Sequence, residues 1–321
     1  MSYTVLIPDS VDQKAVDLIE AADGLDVVYP GKLTQDELVA QVGDAHALII
    51  RSGVKITPEV FAAAPNLKVV ARAGVGVDNV DLDAATEHGV VVVNTPGGNT
   101  ISTAEHTFGL MIALARHIPQ GDASLRAGRW DRKLFTGVEL KGKTLGLVGL
   151  GRIGQAIAKR AQAFEMNVVA HDPYVPAEVA SDMGVVLLDL DGVFAHADFI
   201  SLHAPIMDET RGMINVDSIA KMKDGVRIIN AARGGLINDA DLAAAIKSGK
   251  VAGAALDVYE PEPPAADNPL IGLDGVIHTP HLAASTSDAQ VTVAIEAAQL
   301  VIDALLHNKP QNVVNKAVLE S

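Results

Sequence analysis

The sequence predicts an α/β protein built as two doubly wound parallel-sheet domains. Three observations carry that prediction. Short β-branched runs alternate with helical patterns from end to end. The runs are apolar at nearly every position, as strands are when helices cover both faces of a parallel sheet; a sheet with one wet face would alternate. The series also starts twice, near Thr4 and again at Thr144. The 321 residues hold about two domains of ordinary size.

In the first series, Thr4–Pro8 reads as a strand, residues 11–21 as a helix, Leu25–Tyr29 as a strand and residues 35–42 as a helix. Ala47–Ile50 follows as a strand. Thr57 then reads as an N-cap with Pro58 at the first helical position, opening a helix to Ala64. Strands at 67–71 and 90–94 complete the set. A long helical pattern over 102–116 and a polar segment over 121–142 separate this series from the second. There the strands are expected at 144–148, 168–171, 185–188, 199–203, 227–230, 254–258 and 276–279, with helices such as 153–164 and 239–248 between them. A last helix, about 288–306, comes after that sheet has ended and is expected to return to the first domain. The expected division is 1–98 with 286–321, and 99–285.

Composition narrows the function. Hydrophobic residues at 49% and charged residues at 20% are those of a folded chain. A formal charge of −15 repels polyanions, so nucleic acid is not expected as a partner. Without cysteine there is no disulfide, thiolate nucleophile, iron–sulfur cluster or cysteine zinc site, and no metal is expected. The first apolar run has no basic segment before it, so no signal peptide is read. The stretch 289–306 contains Glu296, Gln299 and Asp303 and reads as too polar to span a bilayer. A cytoplasmic protein is the expectation.

The most informative short motif is Gly149-Leu150-Gly151-Arg152-Ile153-Gly154. Its three glycines stand between a predicted strand and a predicted amphipathic helix, the setting in which such a turn carries a dinucleotide pyrophosphate on a helix N-terminus. The next strand ends at Asp172, where a carboxylate can accept both ribose hydroxyls of NAD and would repel the 2′-phosphate of NADP. NAD is the expected cofactor. A second cluster, Gly74-Val75-Gly76, follows another strand and could cradle a carboxylate on bare amides.

Three further segments place ionisable groups at strand ends: Asn230-Ala231-Ala232-Arg233, Asp257 to Glu262, and Thr279 to Ser285 around His281. Together they supply the parts that hydride transfer at a carbonyl needs. A histidine moves the hydroxyl proton, a carboxylate holds its ring, and a guanidinium binds the substrate's carboxylate as a fork.

In order and approximate spacing, the segments 149–154, 230–235, 257–264 and 280–286 resemble those of the NAD-dependent D-isomer-specific 2-hydroxyacid dehydrogenases. Residues 47–52, 72–81, 94–100 and 130–135 support the resemblance, which covers essentially the whole chain. It implies a flavodoxin-like substrate domain and a Rossmann NAD-binding domain with a cleft between, and a homodimer. It implies catalytic roles for Arg233, Glu262 and His281. Cofactor contacts would come from residues 149–154, Asp172, His203, Ala204, Pro205, Ala231, Asp257 and Ala283, with Asp257 near the nicotinamide. Substrate contacts would come from the Val75 and Gly76 amides.

The likeness is greatest to members that oxidise D-3-phosphoglycerate in serine synthesis, which in longer forms continue into regulatory domains. For such a substrate Arg51, Ser52 and Arg132, with Lys133, are the expected phosphate ligands. A glyoxylate or hydroxypyruvate reductase is the alternative, and an NAD-sensing corepressor-like protein a more distant one. Three departures from the family pattern stand out. Ala204 replaces a threonine, Ala283 replaces a glycine, and Phe164-Glu165-Met166 lacks a glycine, which should alter the end of the preceding helix.

Overall fold

In the first half of the chain, β1 (Tyr3–Leu6), α1 (Gln13–Glu20), β2 (Leu25–Val28), α2 (Gln35–Gln41), β3 (Ala47–Ile50), α3 (Pro58–Ala63), β4 (Val69–Arg72), α4 (Leu82–Glu87) and β5 (Val91–Asn94) alternate without interruption. The computed structural model describes residues 2–320 and divides into two units, Met1–Asn99 with Ser285–Ser321, and Thr100–Ala284. The five strands form one parallel sheet in the order β2-β1-β3-β4-β5, the flavodoxin-like order. Successive side chains leave opposite faces. Val5, Ile49, Val69 and Val93 pack with α1 and the helix Ser287–Leu306, while Leu6, Leu48, Ile50 and Val70 pack with α2 and α3.

Helix Ser287–Leu306 has length and mean hydropathy (1.5) sufficient to cross a membrane. The expectation that Glu296, Gln299 and Asp303 make it too polar is therefore corrected. What marks it as a core helix is burial, with Val293, Ala297, Ala298 and Val301 at 0–5% exposure. Beyond it the chain covers the edge of β5. Val313 bridges Val93, and Asn315 accepts from the Val92 amide and donates to the Val90 carbonyl, both at 2.9 Å.

The second unit contains α5 (Thr100–Arg116), α6 (Ile118–Arg126), β6 (Thr144–Val148), α7 (Arg152–Ala163), β7 (Asn167–His171), α8 (Ala177–Asp182), β8 (Val186–Leu187), α9 (Leu190–His196), β9 (Phe199–Leu202), α10 (Val216–Lys221), β10 (Val226–Asn230), α11 (Asp239–Ser248), β11 (Val251–Leu256) and β12 (Val276–His278). Its seven strands are parallel in the order β12-β11-β10-β9-β6-β7-β8, the Rossmann arrangement with one strand added. The order reverses between β6 and β9, which opens a crevice at their carboxyl ends.

Several expected elements differ. The segment read as polar holds α6 and a short 3₁₀ turn, Arg132–Phe135. Pro119 lies in the first turn of α6, where a missing N–H costs nothing. Strand β11 begins three residues before the expected 254 and runs through Gly253, where a Cβ would lie 2.6 Å from the Gly275 carbonyl oxygen. Thr57 is an N-cap and Pro58 opens α3, but the threonine side chain makes no capping bond. Glu165 takes φ +58, so the end of α7 keeps a left-handed residue without glycine, and Met166 N–H still reaches the Ala161 carbonyl at 3.0 Å.

Candidate active site

The glycine turn joins β6 to α7, and each glycine there has a different reason. Gly149 takes φ +99, and a Cβ would sit 2.6 Å from the His203 carbonyl oxygen. A Cβ on Gly154 would collide with the Gly149 carbonyl, so the helix can lie against the turn only without a side chain. Around Gly151, the N-cap of α7, nothing lies within 4 Å of the Cβ position. The chain itself therefore does not demand glycine at 151. A group approaching the backbone from outside would, and the first amides of α7, Arg152 and Ile153 among them, have no acceptor within the helix. These residues fit the pyrophosphate of a dinucleotide.

Asp172, just past β7, accepts from the Leu150 amide at 2.7 Å and from the Tyr174 amide at 2.8 Å. It ties the glycine turn to the loop after β7 and keeps lone pairs for ribose hydroxyls. His203, Ala204 and Pro205 follow β9 across the crevice. The His203 ring bonds Ser201 Oγ at 2.8 Å, and burial pulls its pKa down to about 3, so it stays neutral.

Strands β10, β11 and β12 are parallel neighbours, so their carboxyl ends share one edge. Ala231 and Arg233 follow β10, Glu262 follows β11 and His281 follows β12. The His281 ring donates from Nδ1 to Glu262 Oε2 at 2.7 Å, and Glu262 Oε1 accepts from the Tyr259 amide at 3.1 Å. A carboxylate only accepts, so Nδ1 carries the proton and Nε2 is left for a ligand. The His281 side chain is 51% exposed, beside a cavity of about 440 Å³ that Tyr259, Glu262, Pro263 and His278 also line. Gly234 brings the Arg233 loop in: its Cβ position overlaps the Tyr259 backbone, so only glycine lets that loop approach the one carrying Glu262.

Asp257, just past β11, is buried. Its side chain has no exposed surface, and it accepts from the Thr279 hydroxyl and from the Leu282 and Ala283 amides at 2.7 and 2.8 Å. Burial pushes its pKa up, but the bonds from His106, Thr279, Leu282 and Ala283 together outweigh burial, and the net shift is downward. A carboxylate so enclosed orders the segment carrying His281. Ala283, 4% exposed, belongs to this packing. Sequence reasoning gave Gly234, Tyr259 and Thr279 no role of their own within their segments and passed over His106.

In the first unit, Gly74 takes φ +146 and Val75 and Gly76 follow it. The Asn94 side chain donates to the Val75 carbonyl at 2.6 Å, and among the described residues no intrachain bond engages the Val75 or Gly76 amide. Buried Asp9 accepts from the amides of Arg51 and Gly53 at 3.0 and 2.8 Å, which presents Arg51 and exposed Ser52 on a fixed loop. Arg132 and Lys133 are exposed.

Comparison with known proteins agrees with this architecture. The profile of the D-isomer specific 2-hydroxyacid dehydrogenase NAD-binding domain matches residues 108–283. A D-3-phosphoglycerate dehydrogenase of Archaeoglobus fulgidus is 50% identical over 316 residues, covering 98% of this chain and 60% of that protein. One from Rattus norvegicus is 47% identical, covering 99% and 59%. The chain thus spans about six tenths of the length of these curated relatives. Among solved structures, the TT0316 protein of Thermus thermophilus superposes with a TM-score of 0.87 at 38% identity, covering 97% of this chain and 99% of that one. A glyoxylate reductase from Paecilomyes thermophila gives 0.88 at 30%, covering 98% of each. With the profile over more than half of its length and a 38% identical structure matched over 99% of its own chain, this chain belongs to the D-isomer specific 2-hydroxyacid dehydrogenases.

Proposed function

We propose that this chain oxidises D-3-phosphoglycerate to 3-phosphohydroxypyruvate with NAD. The observation that carries the reading is the exposed His281 ring, held by Glu262 at 2.7 Å on the sheet edge that also bears Arg233. Bound at the glycine turn, NAD would supply the acceptor for the hydride leaving C2. His281 takes the hydroxyl proton at Nε2, and Glu262 holds the ring in that tautomer and balances the charge it gains. Arg233 binds the substrate carboxylate and polarises the neighbouring C–O bond. The carboxylate of Asp172 favours NAD over NADP. The choice of a phosphorylated substrate rests on the relatives' names and on Arg51 as the cation for the phosphate.

A screen of NAD reduction across D-2-hydroxy acids tests the reading. The expected kcat/KM for D-3-phosphoglycerate exceeds that for D-glycerate by about 100-fold, a gap that Arg51→Ala narrows. Equal values, unchanged in the variant, would overturn it. A second reading, reduction of glyoxylate or hydroxypyruvate by the same side chains, draws on the likeness to the glyoxylate reductase, and the same screen with NADH and oxoacids separates the two.

The chain is further proposed to form homodimers. Trp130 and Leu134 are 75% and 74% exposed, and Ile118 and Leu125 on α6 are exposed as well, apolar side chains that a second copy of the chain would cover. Light scattering on wild type and Trp130→Ala/Leu134→Ser tests this: a wild-type monomer would refute it.

A further inference from the structure

His106, on α5, has Nε2 at 3.2 Å from Thr279 Oγ1 and 3.3 Å from Asp257 Oδ1. The Thr279 hydroxyl has one proton and donates it to Asp257, and the carboxylate has none to give. The proton between the three groups is therefore on His106 Nε2, shared between the two oxygens. Asp257 in turn receives the Leu282 and Ala283 amides, and its backbone carbonyl receives the His281 amide at 2.8 Å. His281 itself sits at φ +54, a conformation that a residue with a side chain holds only when its surroundings over-determine it. A helix far away in the chain thus ends in the bonds that fix the backbone on either side of the catalytic imidazole.

We propose that His106 is a positioning residue. Through Asp257 and Thr279 it holds residues 279–283 so that the His281 ring stays on Glu262 with Nε2 presented to substrate. This rests on the dehydrogenase reading. Asp257 still has its other three donors without His106, so the expected consequence is a looser segment and not an unfolded protein. His106→Leu removes the donor at similar size, and His106→Gln restores an N–H at similar reach.

The experiment measures turnover and backbone amide exchange in wild type and both variants. In His106→Leu, kcat is expected to fall about tenfold while KM for NAD and hydroxy acid stays within about twofold. The Leu282 and Ala283 amides should exchange about tenfold faster, with those of β10 unchanged, a local opening and not a global loss of stability. His106→Gln should recover both. Wild-type kcat and exchange in His106→Leu, or a glutamine variant no better than the leucine one, would overturn the proposal. A wild type that turns over no D-2-hydroxy acid would overturn the dehydrogenase reading instead, and the exchange rates at Leu282 and Ala283 would then decide the positioning claim by themselves.

Discussion

Gly151→Ala should cripple cofactor binding and leave the fold intact, whereas Gly154→Ala, three positions on, should do the reverse in emphasis. No atom lies within 4 Å of the Gly151 Cβ position, and its φ of −68° and ψ of −166° suit alanine. Losing a favourable N-cap residue costs several tenths of a kcal/mol, and stiffening the unfolded chain returns about 0.4–1 kcal/mol. The net change in stability is within about 0.5 kcal/mol, or roughly 2 °C in Tm for a unit of this size. The methyl instead fills the approach to the α7 amides and should weaken NADH by about 10- to 100-fold, roughly 1.4–2.7 kcal/mol. In Gly154→Ala the methyl meets the Gly149 carbonyl, a backbone atom that cannot swing away. Overpacking of about 1–3 kcal/mol against about 1 kcal/mol of helix propensity leaves a net loss of up to about 2 kcal/mol and a Tm lower by up to roughly 8 °C. Thermal melts and NADH fluorescence titrations on both variants make the comparison. A Gly151→Ala protein that binds NADH like wild type would refute the inference that open space at 151 is reserved for a pyrophosphate.

Glu262→Gln keeps the shape of the His281 contact but removes its charge; kcat should fall by about 100-fold with little change in KM, and steady-state kinetics would contradict the assigned role if KM alone rose. Asp257→Asn turns an NH₂ toward donors it cannot accept from, at a cost of about 3 kcal/mol, which calorimetry should register as a Tm lower by roughly 6–12 °C. His203 has its pKa lowered to about 3, so the unfolded chain binds a proton near pH 6.5 that the folded protein refuses. Its contribution is complete above pH 6.5 and is lost on acidification by up to about 1.4 kcal/mol per unit down to the folded value. Urea midpoints at pH 7.5 and 5 for wild type and His203→Gln should show a steeper loss in wild type; parallel losses would contradict the buried neutral ring.

What could be read in the chain was local or periodic. Runs such as Ala47–Ile50, apolar on both faces, require a parallel sheet between helix layers, and a glycine turn after a strand with a carboxylate at the next strand end marks the ribose and phosphate sites. Arg233, Glu262 and His281 were visible as residue types at strand ends that together suit hydride transfer at a carbonyl, and the resemblance added the family. Helix α6 escaped notice because Pro119 and Gly121 weaken a short pattern that only packing completes.

By itself, then, the order of residues determined the α/β class and the glycine turn between strand and helix, and it offered Arg233, Glu262 and His281 as candidates, since each depends on side-chain type and position at a strand end. Tertiary structure alone decided that Asp257 is sealed beneath the loop carrying His281, that His106 reaches it from α5, and that Gly234 admits the arginine loop beside Tyr259. Those contacts join residues that are strangers along the chain, and no local pattern encodes which distant donor a buried carboxylate will find; that is set by the strand order, which brings the ends of β10, β11 and β12 to one edge.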